Sequence, residues 1–192
     1  MDRLRERSSE LLSSLDYSNI DGIIPQFSQW AEFAAMMRAR PKRKVKGEDP
    51  TDSEESEELP SRLAYQFGRL ASCLAVVEGK KYVDDGIMQT IRQVALDVAY
   101  GQTREICKAI WLELRKNKLG LSNDSLEIAL AETDYRIKQL TRFLRKINCI
   151  ELAEHKDANG IQLSAGTYWT LTERARNLCD QIFEVDTSEK MR

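Results

Sequence analysis

The chain has 192 residues, 42% of them apolar and 31% charged, with a formal net charge of −2. This length supports one or two small domains with cores of their own, and the near-neutral balance excludes a strongly basic nucleic-acid coat protein. No stretch reaches the roughly 20 apolar residues of a membrane span, and the N-terminus (MDRLRERSSELL) lacks the apolar segment of a secretory signal, so a cytoplasmic protein without membrane contact is expected.

Residues 2–15 read as a short helix carrying Leu4, Leu11, Leu12 and Leu15. Asp16–Ile23 reads as a turn region. A second helix is expected over 25–39, with Pro25 in its first turn and Phe27, Trp30, Ala34 and Met37 at helical spacing. A composition break follows. Six basic residues lie between Arg38 and Lys46, seven acidic residues between Glu48 and Glu58, and Pro41, Pro50 and Pro60 punctuate the run. Without apolar periodicity, burial cannot offset chain entropy, so a disordered, self-neutralising linker is expected there.

Residues 61–78 predict a helix with Leu63, Phe67, Leu70, Leu74 and Val77 inward, stopped by Gly79. Asp84 or Asp85 caps the next, whose stripe is Ile87, Ile91, Val94 and Val98, broken near Gly101. A helix over 103–116 carries Ile106, Ile110 and Leu114. Lys118–Leu121 reads as a turn, and Asn123 or Asp124 as the cap of a short helix over 124–131 with Leu126 and Leu130 inward. Glu132–Thr133 is a brief turn. The next helix, 134–147, carries Ile137, Leu140, Leu144 and Ile147. An apolar strand at Cys149–Ala153, a turn around Asn159-Gly160, a return strand at 167–171 and an amphipathic helix over 172–184 complete the pattern.

Several chemistries are excluded by what is missing. A single histidine, His155, and four cysteines without a CxxC pair cannot build an ordinary zinc site. Cys73, Cys107, Cys149 and Cys179 are expected as reduced thiols, mostly buried as small hydrophobes. There is no GxSxG, no GxxxxGK[ST] and no GxGxxG. A non-catalytic protein without cofactor or metal is therefore expected.

Helix, short helix, turn, helix, strand, loop, strand, helix is the order of a winged-helix domain. Its third helix crosses the first two and projects one face, which fits a major groove about 12 Å wide. At about 100° per residue, the arc of Ile137, Leu140 and Leu144 opposes a basic arc on helix 134–147. Lys138, Thr141, Arg142 and Arg145 are the leading DNA candidates, with Tyr135 beside them and Arg136 at the helix start. On the hairpin, Lys156 is the backbone-contact candidate, near His155 and Asn159. Trp169 is expected in the core and Tyr168 on the opposite side of the strand.

The run LSNDSLEIALAETDYRIKQLTRFLRKINCIEL with the later YWTLTERA resembles the winged helix-turn-helix domains of prokaryotic DNA-binding proteins. That resemblance spans residues 101 to 184 and implies double-stranded DNA as partner, in replication or transcription. The phrase ELPSRLAYQFGRLASCLAVVEGKKYVDDGIMQTIRQVAL resembles the helical lid of AAA-type ATPases such as the minichromosome maintenance helicases. It implies a nucleotide-sensing role for Arg62, an arginine just after a helix-opening proline, and makes Arg38 or Arg40 resemble a trans-acting arginine. The missing phosphate loop means that any ATPase core must act in trans, this chain being its C-terminal part or its partner.

The expected fold is mainly α: a helical N-terminal region plus a C-terminal winged helix with a small β-hairpin wing. The expected organisation is N-terminal helices at 1–40, the linker at 41–59, the lid-like region at 60–100, the winged helix at 101–185 and a tail at 186–192. The N-terminal helices would serve docking or assembly into a homo-oligomer. The competing expectation is a protein-interaction adaptor, whose winged helix meets protein; the balance of 15 basic against 14 acidic groups in residues 101–192 favours it.

Overall fold

The computed structural model describes residues 20–39, 59–116, 119–153 and 168–183. The expected helix at 2–15, the linker at 41–58, the hairpin residues His155, Lys156 and Asn159, Arg40 and the tail lie outside the described residues. The protein is mainly α with a small antiparallel sheet: seven helices and three strands among the described residues. These divide into two compact units, the first ending at Val98 and the second taking in Met36–Ala39 and the described residues from Ala99 onward.

The first unit contains α1 (Ile20–Arg38) as far as Ala35, α2 (Pro60–Val77) and α3 (Asp85–Val98). α1 starts five residues before the expected position, so Pro25 lies inside it and residues 20–23 are helical rather than a turn. Proline's fixed φ is compatible with a helix, and its cost is the missing backbone donor. Phe27 and Trp30 are buried on α1 with ring centroids 6.0 Å apart, and Phe27 lies beside Gly68 of α2.

The buried face of α2 is Leu63 and Phe67, as expected, continued by Ala71 and Ala75 rather than by Leu70, Leu74 and Val77. Leu70 is 37% exposed and Val77 82% exposed. Which arc of a helix is covered depends on where its neighbours sit, and alanines permit closer helix approach than leucines. Asp84 caps α3, its Oδ1 accepting the Ile87 N–H at 3.0 Å. Lys80 bridges Asp84 and Glu78, at 2.6 Å to each. Hydrogen bonding to these carboxylates raises the Lys80 pKa; hydrogen bonding to Lys80 first, and to the Ile87 N–H next, lowers that of Asp84.

The second unit is built on α4 (Gln102–Arg115), β1 (Leu121–Ser122), α5 (Asn123–Leu130), α6 (Asp134–Lys146), β2 (Ile150–Leu152), β3 (Tyr168–Leu171) and α7 (Glu173–Phe183). The sheet order is β1-β3-β2, all antiparallel, with Leu121 opposite Trp169 and Ile150 opposite Leu171. The turn expected at Lys118–Leu121 therefore ends in a strand. Two residues carry no period of their own, and β1 exists through its pairing to β3. Gly120, at φ 136°, makes that approach possible: a Cβ there would run into the Trp169 carbonyl.

Ile106, Cys107, Ile110 and Trp111 of α4 form the floor of the core with Leu126, Ile137, Leu144, Leu171, Leu178 and Ile182. Trp111 packs on Phe183 at 5.4 Å and donates its indole N–H to Asp180 at 2.7 Å. Thr103 anchors the second unit's piece of α1, its hydroxyl donating to the Met37 carbonyl at 2.8 Å. Ser122, rather than Asn123 or Asp124, caps α5 by accepting the Ser125 N–H at 3.2 Å. Three of the four cysteines are buried, as expected, and Cys73 is exposed.

Candidate nucleic-acid interface

α6 begins at a Thr133 cap, whose hydroxyl accepts the Arg136 N–H at 3.4 Å, and ends at Lys146, with Asn148 just beyond it in the left-handed region. Its apolar spacing does what a 3.6-residue repeat dictates: Ile137, Leu140, Phe143 and Leu144 are buried. The opposite face exposes Tyr135, Lys138, Gln139, Arg142 and Arg145. Thus Tyr135, Lys138, Arg142 and Arg145 are brought onto one solvent-facing surface.

Thr141 is not on that surface. It is 1% exposed, and its hydroxyl donates to the Ile137 carbonyl at 2.9 Å within its own helix. It lies only about 40° round the helix from Ile137, and back-bonding satisfies its polar atom without water. Arg136 is exposed, yet engaged: its Nε donates to Gln102 Oε1 at 2.8 Å, and Gln102 in turn donates to Glu132. Lys156 lies outside the described residues. Arg62 belongs to the first unit, exposed in the first turn of α2 with its backbone N–H on the Leu59 carbonyl at 3.0 Å.

The two halves of α6 differ electrostatically. At the N-terminal end Lys138 pairs with Asp134 at 2.7 Å, both half exposed. Gln139 donates to the Tyr135 hydroxyl at 2.8 Å and accepts from Arg136 at 3.5 Å. Nearby Glu127 has its pKa raised, first by desolvation, then by the carboxylates of Asp134 and Asp124. Further along, Arg142 and Arg145 make no side-chain ion pair or hydrogen bond among the described residues. Arg145, with Lys146, lies in the last turn of α6, where a cation suits the helix dipole.

The expectations missed Gln139 and Gln102. Gln139 lies four residues after Tyr135 and three before Arg142, so its spacing places it on the same arc. Gln102 had no such signal, because its role depends on α4 meeting α6. Among the described residues no group of three or more His, Cys, Asp or Glu could hold a metal, and no helix is long and apolar enough to cross a membrane. No family model, no curated protein and no solved structure matches the chain.

Proposed function

We propose that the second unit is a winged-helix module that holds double-stranded DNA and catalyses nothing. The observation that carries the reading is the opposition on α6 of buried Ile137, Leu140 and Leu144 to Arg142 and Arg145, exposed and without carboxylate partners among the described residues. The order of α4, β1, α5, α6 and a sheet arranged β1-β3-β2 supports it. A helix–turn–helix of this order projects α6, and guanidinium groups on a projecting helix meet phosphates or a guanine edge. Asp134 neutralises Lys138, so contact centres on the C-terminal half of α6. The N-terminal helices serve assembly, and the exposed Arg62 supports a lid-like docking to an ATPase core supplied in trans.

The test is fluorescence anisotropy with a random-sequence duplex at several salt concentrations. Each lost phosphate contact flattens the log–log salt slope by about 0.9. Arg142→Ala with Arg145→Ala is expected to weaken binding and flatten the slope by about two such steps. No binding at low salt by the folded wild-type chain overturns the reading.

A second reading, a protein-interaction adaptor, is favoured by Ile128 of α5. Its side chain is 84% exposed beside the carboxylates of Asp124 and Glu127, an environment that repels phosphate.

A further inference from the structure

Cys107 and Cys149 are 42 positions apart in the chain, yet their Sγ atoms lie 3.5 Å apart in the core of the second unit. Both are 0% exposed, and Cys179 is buried close by. Cys107 lies in the middle of α4. Cys149 belongs to no helix or strand: it follows Asn148, at φ 55°, and donates its backbone N–H to the Leu144 carbonyl at 2.9 Å. A disulfide needs its sulfurs about 2.05 Å apart, so about 1.5 Å of approach is required. The turn after α6 is the partner able to supply it.

We propose that Cys107 and Cys149 are a redox-convertible pair, and that their disulfide ties α4 to the turn that ends α6. The oxidant is a hydroperoxide. One thiol loses its proton, and its sulfur attacks the peroxide and breaks the O–O bond, giving a sulfenic acid and hydroxide, which takes up that proton as water. The second thiol sulfur then displaces the sulfenic oxygen as water and forms the S–S bond. Two thiols and one hydrogen peroxide give one disulfide and two waters, with two electrons passing from sulfur to peroxide.

The closed unit resists this reaction. The neighbouring Cys149 thiol and burial hold the Cys107 thiol well above its usual range, and burial does the same to Cys179. Formation is therefore gated by local opening and then held by the short distance on closing. The bond closes a loop containing α5 and α6, which restricts the unfolded chain and stabilises the unit.

The full chain carrying Cys73→Ser, which removes the exposed thiol, is treated with hydrogen peroxide in graded urea below the unfolding transition. Alkylation and peptide mapping follow. The expected result is a loss of about 2 Da, one peptide joining Cys107 to Cys149, and a higher urea midpoint that a reductant returns to its starting value. Cys179→Ala added to this background is expected to leave the bond intact, and Cys149→Ala to abolish it. Free or sulfinic Cys107 and Cys149, a bond to Cys179 instead, or a Cys107–Cys149 bond that does not raise the midpoint each overturns the proposal.

Discussion

Trp169 donates its indole N–H to Asn123 Oδ1 at 2.8 Å, tying the central strand of the sheet to the first residue of α5. Trp169 is 7% exposed, so the donor has little water to fall back on. Removing the acceptor leaves a buried N–H unsatisfied. Asn123→Ala is expected to destabilise the second unit by about 1–3 kcal/mol, read as a lower urea midpoint. Asn123→Asp keeps an acceptor and places a negative charge at a helix N-terminus, so its loss should be clearly smaller. Equal losses would mean that the amide matters for something other than this bond.

Asp134 and Lys138 form a half-exposed pair at 2.7 Å on the face proposed to meet DNA. Half-exposed pairs contribute little to stability, so breaking this one should hardly change the fold. Binding is another matter, because Asp134 both occupies Lys138 and repels phosphate. Asp134→Asn is expected to tighten duplex binding by about two- to fivefold at low salt, an effect that fades as salt screens the charges. Anisotropy titrations at low and physiological salt check this. Unchanged affinity at low salt would place the phosphates away from the start of α6.

Where a local pattern decides the outcome, the fold was legible. α6 is legible almost to its last residue because Ile137, Leu140 and Leu144 repeat at the helical period and are buried. β1 was not, because Leu121 and Ser122 become a strand only by meeting Tyr168 and Trp169, 46 to 48 positions later in the chain. The face of α2 is legible only in its first half: Leu63 and Phe67 are buried as their spacing predicts, but Ala71 and Ala75 are covered while Val77 is bare, because hydrophobicity does not tell which arc a neighbour will cover. Within the candidate site, Arg142 and Arg145 followed from the wheel. Thr141 did not, because a hydroxyl able to bond its own helix backbone is at home on either side of the boundary. Asp134's neutralisation of Lys138 was available at i,i+4 spacing, and the Gln102–Arg136 link was not, since it joins two helices.

Gly120 has no tolerated replacement on geometric grounds. Its φ of 136° is outside the range of L side chains, and a Cβ would overlap the Trp169 carbonyl. Gly120→Ala must therefore push β1 off β3 or distort both. The expected cost is about 1–3 kcal/mol or more, seen as a lower thermal midpoint. Gly22 is the control: a Cβ there meets nothing within 4 Å. Gly22→Ala, inside α1, is expected to be neutral or stabilising, as alanine is the better helix former.

Glu127 gives the second unit an acid-side response opposite to that of an ion-paired carboxylate. Desolvation, then the carboxylates of Asp134 and Asp124, raise its pKa above the ordinary 4.5. The folded state therefore binds this proton more tightly than the unfolded chain does. At neutral pH the ionised group opposes folding; as pH falls through its raised value, protonation relieves the opposition, fully so below 4.5. Asp84 runs the other way: hydrogen-bonded to Lys80 and the Ile87 N–H, it stabilises the first unit above its ordinary 3.8 and loses that contribution as pH falls through its lowered value. Glu127→Gln should raise the urea midpoint at neutral pH and remove the gain on acidification. The check is the difference between wild-type and Glu127→Gln midpoints from neutral pH down towards 4.5. It should shrink as the pH falls, because the wild-type side chain becomes neutral like the glutamine. A difference that stays constant with pH would show that the substitution acts through packing, not charge.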